Sequence, residues 1–435
     1  MAQNIDKLFR IDRDQCVFDV HRSVFVDNDI FEQEKEHIFN TCWLYVGHES
    51  EVPNKGDFKT RRIGGRELIF NRDSDNNIRA LLNSCRHRAT VVVREKQGNA
   101  NAFQCFYHAW TYNNKGELVG VPGRDAYPEH FNCDGALNLL EVPRISNYRG
   151  FYFINYDKNA INLEDYLAGA KEYLDLIADQ SEVGMEVMQG THEYSTYCNW
   201  KLVIENSADP YHAPPTHSTY FDYIADRAGT AKKEAFNPNP YSVAKRLGNG
   251  HYVVEYNTFK WGRAVARPVE WWPDHVKAEI EGIRKRLVER FGEAYAERVA
   301  GHDFNMVIFP NLVINNIHSI VIRLLEPRKV DYHDISAWCL LPKDVPQFAK
   351  SQAFDAFLEF LGPAGLATPD DNEALELAQL GFSNVKEDSW NLLSRGMNKE
   401  LQGVTEMPID EEYQIRSWWL KWKEMMSQNQ EVTAK

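Results

Sequence analysis

Two short stretches of the chain each pair a thiol with an imidazole. Residues 83–90 read NSCRHRAT and contain Cys85-x-His87, and residues 101–112 read NAFQCFYHAWTY and contain Cys105-x2-His108. Each arm offers one sulfur and one nitrogen donor, and each falls at a β-turn junction. A structural zinc ion also takes two cysteines and two histidines. Such sites usually pair like with like, as CxxC with HxxxH or with a second CxxC. Two mixed arms suit instead a [2Fe–2S] cluster in which one iron takes both thiolates and the other both imidazoles, so each arm serves both irons. Neutral ligands on one iron raise the reduction potential by roughly a few hundred millivolts over an all-cysteine cluster.

A second set lies in residues 199–217, NWKLVIENSADPYHAPPTH. Glu205, Asp209 and His212 fall at i, i+4 and i+7, one face of a helix. Pro210 is expected to kink that helix or to restart it with Asp209 as N-cap. His212 and His217 would diverge on an unbroken helix; Pro214 and Pro215 are expected to end it and let His217 fold back. Two imidazoles and one carboxylate make the facial triad of non-haem Fe(II) oxygenases. Taken alone, the pair reads as two structural histidines near a turn. An electron-transfer cluster in the same chain changes that, because a one-electron carrier needs something to reduce. A carboxylate is available in residues 361–373, LGPAGLATPDDNE. With Thr368 as N-cap and Pro369 as the first helical residue, Asp371 is either a capping-box acid for its own helix or the metal's carboxylate.

Elements must position these groups. The chain has 435 residues, enough for two to three domains at ~100–200 residues each. Hydrophobic residues make up 43% and charged residues 26%, ordinary globular values that exclude wholesale disorder. Lys+Arg of 49 against Asp+Glu of 63 leaves −14, which argues against nucleic acid or an anionic membrane as partner. No apolar run reaches the ~18–20 residues of a membrane helix, and the charged start MAQNIDKLFRIDRDQ lacks a signal core. A cytoplasmic protein is expected. Seven cysteines, an odd number, do not make a disulfide scaffold; Cys16, Cys42, Cys133, Cys198 and Cys339 read as small buried side chains.

Asp29–Cys42 reads as a helix, with Asp29 and Glu32 as a capping box. Short β runs follow at Glu67–Asn71, Ile78–Leu82, Ala102–Cys105 and Phe151–Ile154, with turn signals at 74–77, 97–99 and 113–116. Beyond 160, Leu163–Ala178 and Val276–Ala300 read as helices. His251–Thr258, Met306–Asn315, Ser319–Leu325 and Ile335–Leu341 read as strands, and Gln347–Leu361, Pro369–Leu380 and Asp410–Met426 as helices. The expected fold is α+β, with a small antiparallel β domain before a catalytic domain of helix-flanked antiparallel sheet. Its expected parts are a helical segment 1–42 packing on the catalytic domain, a cluster domain 43–160 and a catalytic domain 161–435.

Together these motifs resemble the large (α) subunit of Rieske non-haem iron ring-hydroxylating oxygenases over roughly residues 40–400, most nearly the benzoate, cumate and terephthalate group. The resemblance assigns Cys85, His87, Cys105 and His108 to one Rieske [2Fe–2S] cluster. It assigns His212, His217 and Asp371 to one Fe(2+), with Asp370 as the fallback. Glu205-Asn206-x-x-Asp209 then matches the motif in which Asp209 bridges His212 to His108 of a neighbouring subunit, which implies a trimer, α3 or α3β3 with a small β subunit. Electrons would come from NAD(P)H through a separate flavin reductase, with or without a ferredoxin. No nicotinamide fingerprint G-x-G-x-x-G follows a strand in this chain. The implied reaction is cis-dihydroxylation of a monocyclic aromatic acid, p-cumate or benzoate-like.

Strand residues 304–309 are expected to line the pocket in alternation, with the parity undetermined. Arg323 is a candidate for the substrate carboxylate, or else a salt-bridge partner of Glu326. Trp271, Trp272, Trp418, Trp419 and Trp422 read as packing. Three other functions fit part of the pattern. They are a non-catalytic Rieske electron carrier, a zinc hydrolase, and a Rieske monooxygenase or dealkylase.

Overall fold

The computed structural model describes residues 4–228, 242–257, 265, 268, 272–317 and 319–427. The chain divides into two compact units, Phe39–Leu163 and Met1–Ile38 together with Glu164–Lys435.

The first unit is built from small antiparallel sheets. One orders Ile78–Leu82, Arg66–Arg72, Asp57–Ile63 and Gln97–Asn99; another orders Leu118–Gly120, Thr111–Asn113 and Ala102–Gln104; a third orders Arg144–Tyr148, Phe151–Asn155 and Leu44–His48. Gln97–Asn99, expected as a turn, is a short strand paired with Asp57–Lys59. The 113–116 turn forms as expected. The Asn113 side chain accepts the amides of Lys115 and Glu117, and Gly116 sits at φ +89 where a Cβ would be strained. Cys85 and Cys105 belong to this unit's core with Phe58, Ile69, Leu81, Phe103 and Tyr112.

The second unit centres on an eight-stranded antiparallel sheet. Its order is Met185–Val187, Tyr332–Pro342, Ile320–Lys329, Leu312–Asn316, His302–Ile308, His251–Asn257 and Ser242–Gly248, with His192–Thr196 also on Tyr332–Pro342. The expected strand Met306–Asn315 is instead a hairpin turning at Phe309–Asn311. An apolar run with a proline inside it carried no alternation to mark that reversal. Cross-strand pairs Val254↔Asn305, Asn305↔Asn315 and Val313↔Arg323 put these residues on one face. Over the same face packs the helix Gln347–Glu359, with Ala353 and Phe357 against Val321, Ala337 and Cys339.

Two expected helices are each broken in two. Leu163–Leu167 and Ala170–Ala178 part at Ala168, φ +46; Asp274–Phe291 and Glu293–Gly301 part at Gly292, φ +80. The N-terminal segment is not purely helical, since Phe9–Asp12 and Val17–His21 form a sheet with Trp390–Leu392. Its helix Asn28–Glu34 is capped by the Asp27 side chain rather than by Asp29. Of the cysteines read as buried, Cys42, Cys198 and Cys339 are, whereas Cys16 is half-buried and Cys133 exposed. Thr258 and Trp271 lie outside the described residues. Trp272, Trp418, Trp419 and Trp422 are buried in packing, with Trp418 stacked on Trp419 at 4.1 Å. Among the described residues no helix is long and apolar enough to cross a membrane.

Candidate metal centres

The two Cys/His loops share one backbone design. In the first, the Cys85 amide donates to Thr90 O and the Ala89 amide to Cys85 O, both at 2.8 Å. In the second, the Cys105 amide donates to Trp110 O at 2.8 Å and the Ala109 amide to Cys105 O at 2.9 Å. Ala89 and Ala109 hold the same left-handed conformation, φ +58 and +56. The loops present like donors to each other. The rings of His87 and His108 lie 4.5 Å apart at 76°, and the Cys105 thiol is pushed up by burial, with Cys85 beside it adding to the rise. Tyr112 Oη lies 3.4 Å from Cys85 Sγ, and His87 stacks on Trp110 at 4.9 Å. The buried His87 Nδ1 has no hydrogen-bond partner. An orphaned imidazole nitrogen, sulfur beside sulfur and ring beside ring fit a cluster that puts two thiolates on one iron and two imidazoles on the other. They fit a single zinc ion poorly, since among the described residues only His212, His217 and Asp371 bring three donors together.

That second set is assembled by a broken helix. Trp200–Asn206 ends before Asp209, which restarts the chain by accepting the His212 amide at 3.0 Å on its side chain. Pro214 and Pro215 do not end a helix; they open the short helix Ala213–Thr216, where a missing N–H is one of the unpaired first-turn donors anyway. His217 caps it, its amide bonded to Ala213 O at 2.9 Å. Thr368 is likewise not an N-cap. The helix Thr368–Gly381 starts there with no side-chain cap, so Asp371 is released from capping. Asp371 Oδ1 lies 3.3 Å from His212 Nε2 and 3.2 Å from His217 Nε2. All three ligand atoms fall within 4.8 Å of one another.

The surroundings complete the set. Burial alone would raise the Asp371 carboxyl, but hydrogen bonds and charge from His212 and His217 hold it well below the carboxylate range. Burial would lower His212, yet Asp209 and Asp371 raise it to about 10. Two imidazoles and a carboxylate that converge in this way suit a divalent ion. Asp370 Oδ2 sits 3.5 Å from the other nitrogen of His217, Nδ1. Asp209 Oδ1 is 3.3 Å from His212 Nδ1. Asn206, part of the motif but given no role from the sequence, reaches both His212 Nε2 at 3.3 Å and Asp371 Oδ1 at 3.1 Å. Its signal was its place beside Glu205 in the motif. Glu205 itself is half-buried, and its carboxyl is pushed up to about 8 by desolvation, against a hydrogen bond donated by Trp419 Nε1 at 2.7 Å.

Two hollows reach this centre. A partly open one of about 90 Å³ is bounded by His212, His217 and Asp371 and by the sheet residues Tyr256, Asn305, Asn315 and Arg323. Odd-numbered residues of His302–Ile308 therefore face the centre, the parity the sequence left open. Arg323 is 6% exposed. Its Nη2 donates to Ser207 Oγ at 3.3 Å. No Glu326 ion pair to it is found among the described residues. The second hollow, about 480 Å³, meets the centre beside Arg22, Glu205 and Asp209.

Comparison with known proteins identifies the class. Residues 42–140 match the Rieske [2Fe-2S] domain, and residues 165–427 match the ring hydroxylating alpha subunit (catalytic domain). The chain belongs to the ring-hydroxylating alpha-subunit family: it is an aromatic ring-hydroxylating dioxygenase that carries a Rieske [2Fe–2S] cluster and a non-haem iron. It is 31% identical to the toluate 1,2-dioxygenase alpha subunit of Pseudomonas putida, over 92% of this chain and 87% of that one. It is 34% identical to the anthranilate 1,2-dioxygenase large subunit of Acinetobacter baylyi, over 91% and 83%. A naphthalene 1,2-dioxygenase variant bound to phenanthrene superposes with a TM-score of 0.83 at 26% identity, covering 94% of this chain and 92% of that one.

Proposed function

We propose that this chain is the terminal oxygenase component of a multicomponent dioxygenase that cis-dihydroxylates a monocyclic aromatic acid, benzoate-like or p-cumate. Cys85, His87, Cys105 and His108 would hold the cluster, and His212, His217 and Asp371 the ferrous ion. When bound, these groups supply electrons and the reductive activation of O2. The observation that carries the reading is a buried guanidinium, Arg323, lining the same small cavity as the three converging ligands. A carboxylate entering there would meet a charge-assisted donor. The about 90 Å³ of the cavity is less than the roughly 150 Å³ known to admit benzene.

The Asp209 backbone carbonyl accepts from His212 Nδ1 and fixes its tautomer, with the Asp209 carboxylate 3.3 Å from the same nitrogen. Its second partner would be His108 of a neighbouring subunit in an α3 or α3β3 ring, approaching along the 480 Å³ hollow where Asp209 and Glu205 lie. Electrons would arrive from NAD(P)H through a separate reductase, with or without a ferredoxin.

The test uses protein purified without air, a reconstituted reductase, isotopically labelled O2 and para-substituted benzoates with their neutral amides. Two labelled atoms per product and a clear preference for acid over amide are expected. One labelled atom would mean monooxygenation, and equal use of acid and amide would remove the carboxylate contact.

A further inference from the structure

The cavity wall holds a second polar group without a partner. Asn315 is 5% exposed, and its Oδ1, like Arg323 Nε, is buried with nothing to bond. Its Nδ2 donates to Asn305 Oδ1 at 2.7 Å while Asn305 Nδ2 donates to Tyr256 Oη at 3.2 Å. What remains toward the cavity is an acceptor. A buried acceptor left unpaired is costly, so such groups call for an explanation.

A carboxylate cannot supply it, having no proton to donate. The pairs Asn315↔Val321 and Val313↔Arg323 make Asn315 and Arg323 diagonal neighbours on one face of adjacent strands. Such side chains root about 7–8 Å apart, so both can reach substituents of one ring. We propose that the substrate is an aromatic acid bearing an amino or hydroxyl group on the same ring, and that Asn315 Oδ1 accepts a hydrogen bond from that group. This rests on the aromatic-acid reading above and narrows it. An alkyl substituent, as in p-cumate, leaves Asn315 unpaired, and sites built to bond a substrate N–H or O–H discriminate strongly against analogues lacking it.

The experiment compares the ortho, meta and para isomers of amino-, hydroxy- and methylbenzoate, with p-cumate, on the holoenzyme. Kd is read by titration calorimetry and kcat/KM with the reconstituted reductase. At least one amino or hydroxy isomer should exceed its methyl isostere at least tenfold in both. In Asn315→Leu that ratio should fall toward one. Methyl and donor-bearing isomers used alike by the native enzyme, with acids still preferred over amides, would overturn the role of Asn315 alone. No preference for acids would overturn the aromatic-acid reading beneath it. The native series decides even where the variant fails to fold.

Discussion

Asp370 and Asp371 carry the same group one residue apart, yet only one meets both imidazoles. The Asp371 side chain is 13% exposed and its Oδ1 touches both Nε2 atoms, whereas Asp370 is 40% exposed and reaches only the far nitrogen of His217. Helical turn alone separates them, about 100° per residue. Asp371→Ala is therefore expected to lose the mononuclear iron and all turnover while keeping the cluster's iron, sulfide and visible spectrum. Asp370→Asn should retain the iron with a modest loss of activity, since it removes an outer partner that orients a ligand. Metal and sulfide counts on both variants check this; mononuclear iron retained in Asp371→Ala would exclude it as a ligand.

At the scale of elements, the helix Trp200–Asn206 that delivers Asn206 is held by a buried ion pair. Lys201 Nζ lies 2.6 Å from Glu34 Oε1, both side chains fully buried. Trp200 and Trp422 each donate an indole N–H to Glu34 at 2.8 Å. The pair thus ties the helix Asn28–Glu34, the helix Trp200–Asn206 and the last helix, Tyr413–Ser427. Removing one charge strands the other, at a typical cost of about 3–5 kcal/mol. Lys201→Met should lower the denaturation midpoint of this unit accordingly, and Glu34→Gln with Lys201→Met should recover much of the loss. A double variant no better than the single would show that the indole bonds, not charge pairing, dominate. None of this was legible in the sequence, because Glu34 and Lys201 are distant in the chain and look like surface residues. The short β runs were legible, since alternation and turn residues are local signals. The hairpin at Phe309 was not, because burial of both arms erased any change of period, and neither were the breaks at Ala168 and Gly292, because a helical period runs on both sides of each.

At the scale of the whole molecule, two buried histidines link stability to pH. His251 and His333 are lowered by burial from 6.5 to about 4, against backbone carbonyl bonds from Tyr166 and Cys198 that raise them. Between those values the unfolded chain takes up protons that the folded chain refuses. Stability is then full above 6.5 and falls as pH drops toward 4, by roughly 3 kcal/mol for each histidine. The thermal midpoint should decline steadily from pH 6.5 to 4.5, with a shallower slope in His333→Asn. A flat midpoint over that interval would show that both rings already carry protons when folded.

By itself the sequence determined which atoms could bind metal, because ligand type and short spacing are covalent properties: Cys85-x-His87, Cys105-x2-His108 and the His212/His217 pair read directly. It also determined the β character of the first unit and the sheet-and-helix character of the second. Only the tertiary structure placed Asp371 rather than Asp370 beside both imidazoles, and set the parity of the sheet face and the meeting of Asn315 and Arg323. Each of those depends on groups more than a hundred residues apart, or on adjacent strands, being fixed within a few ångströms, and packing sets that distance.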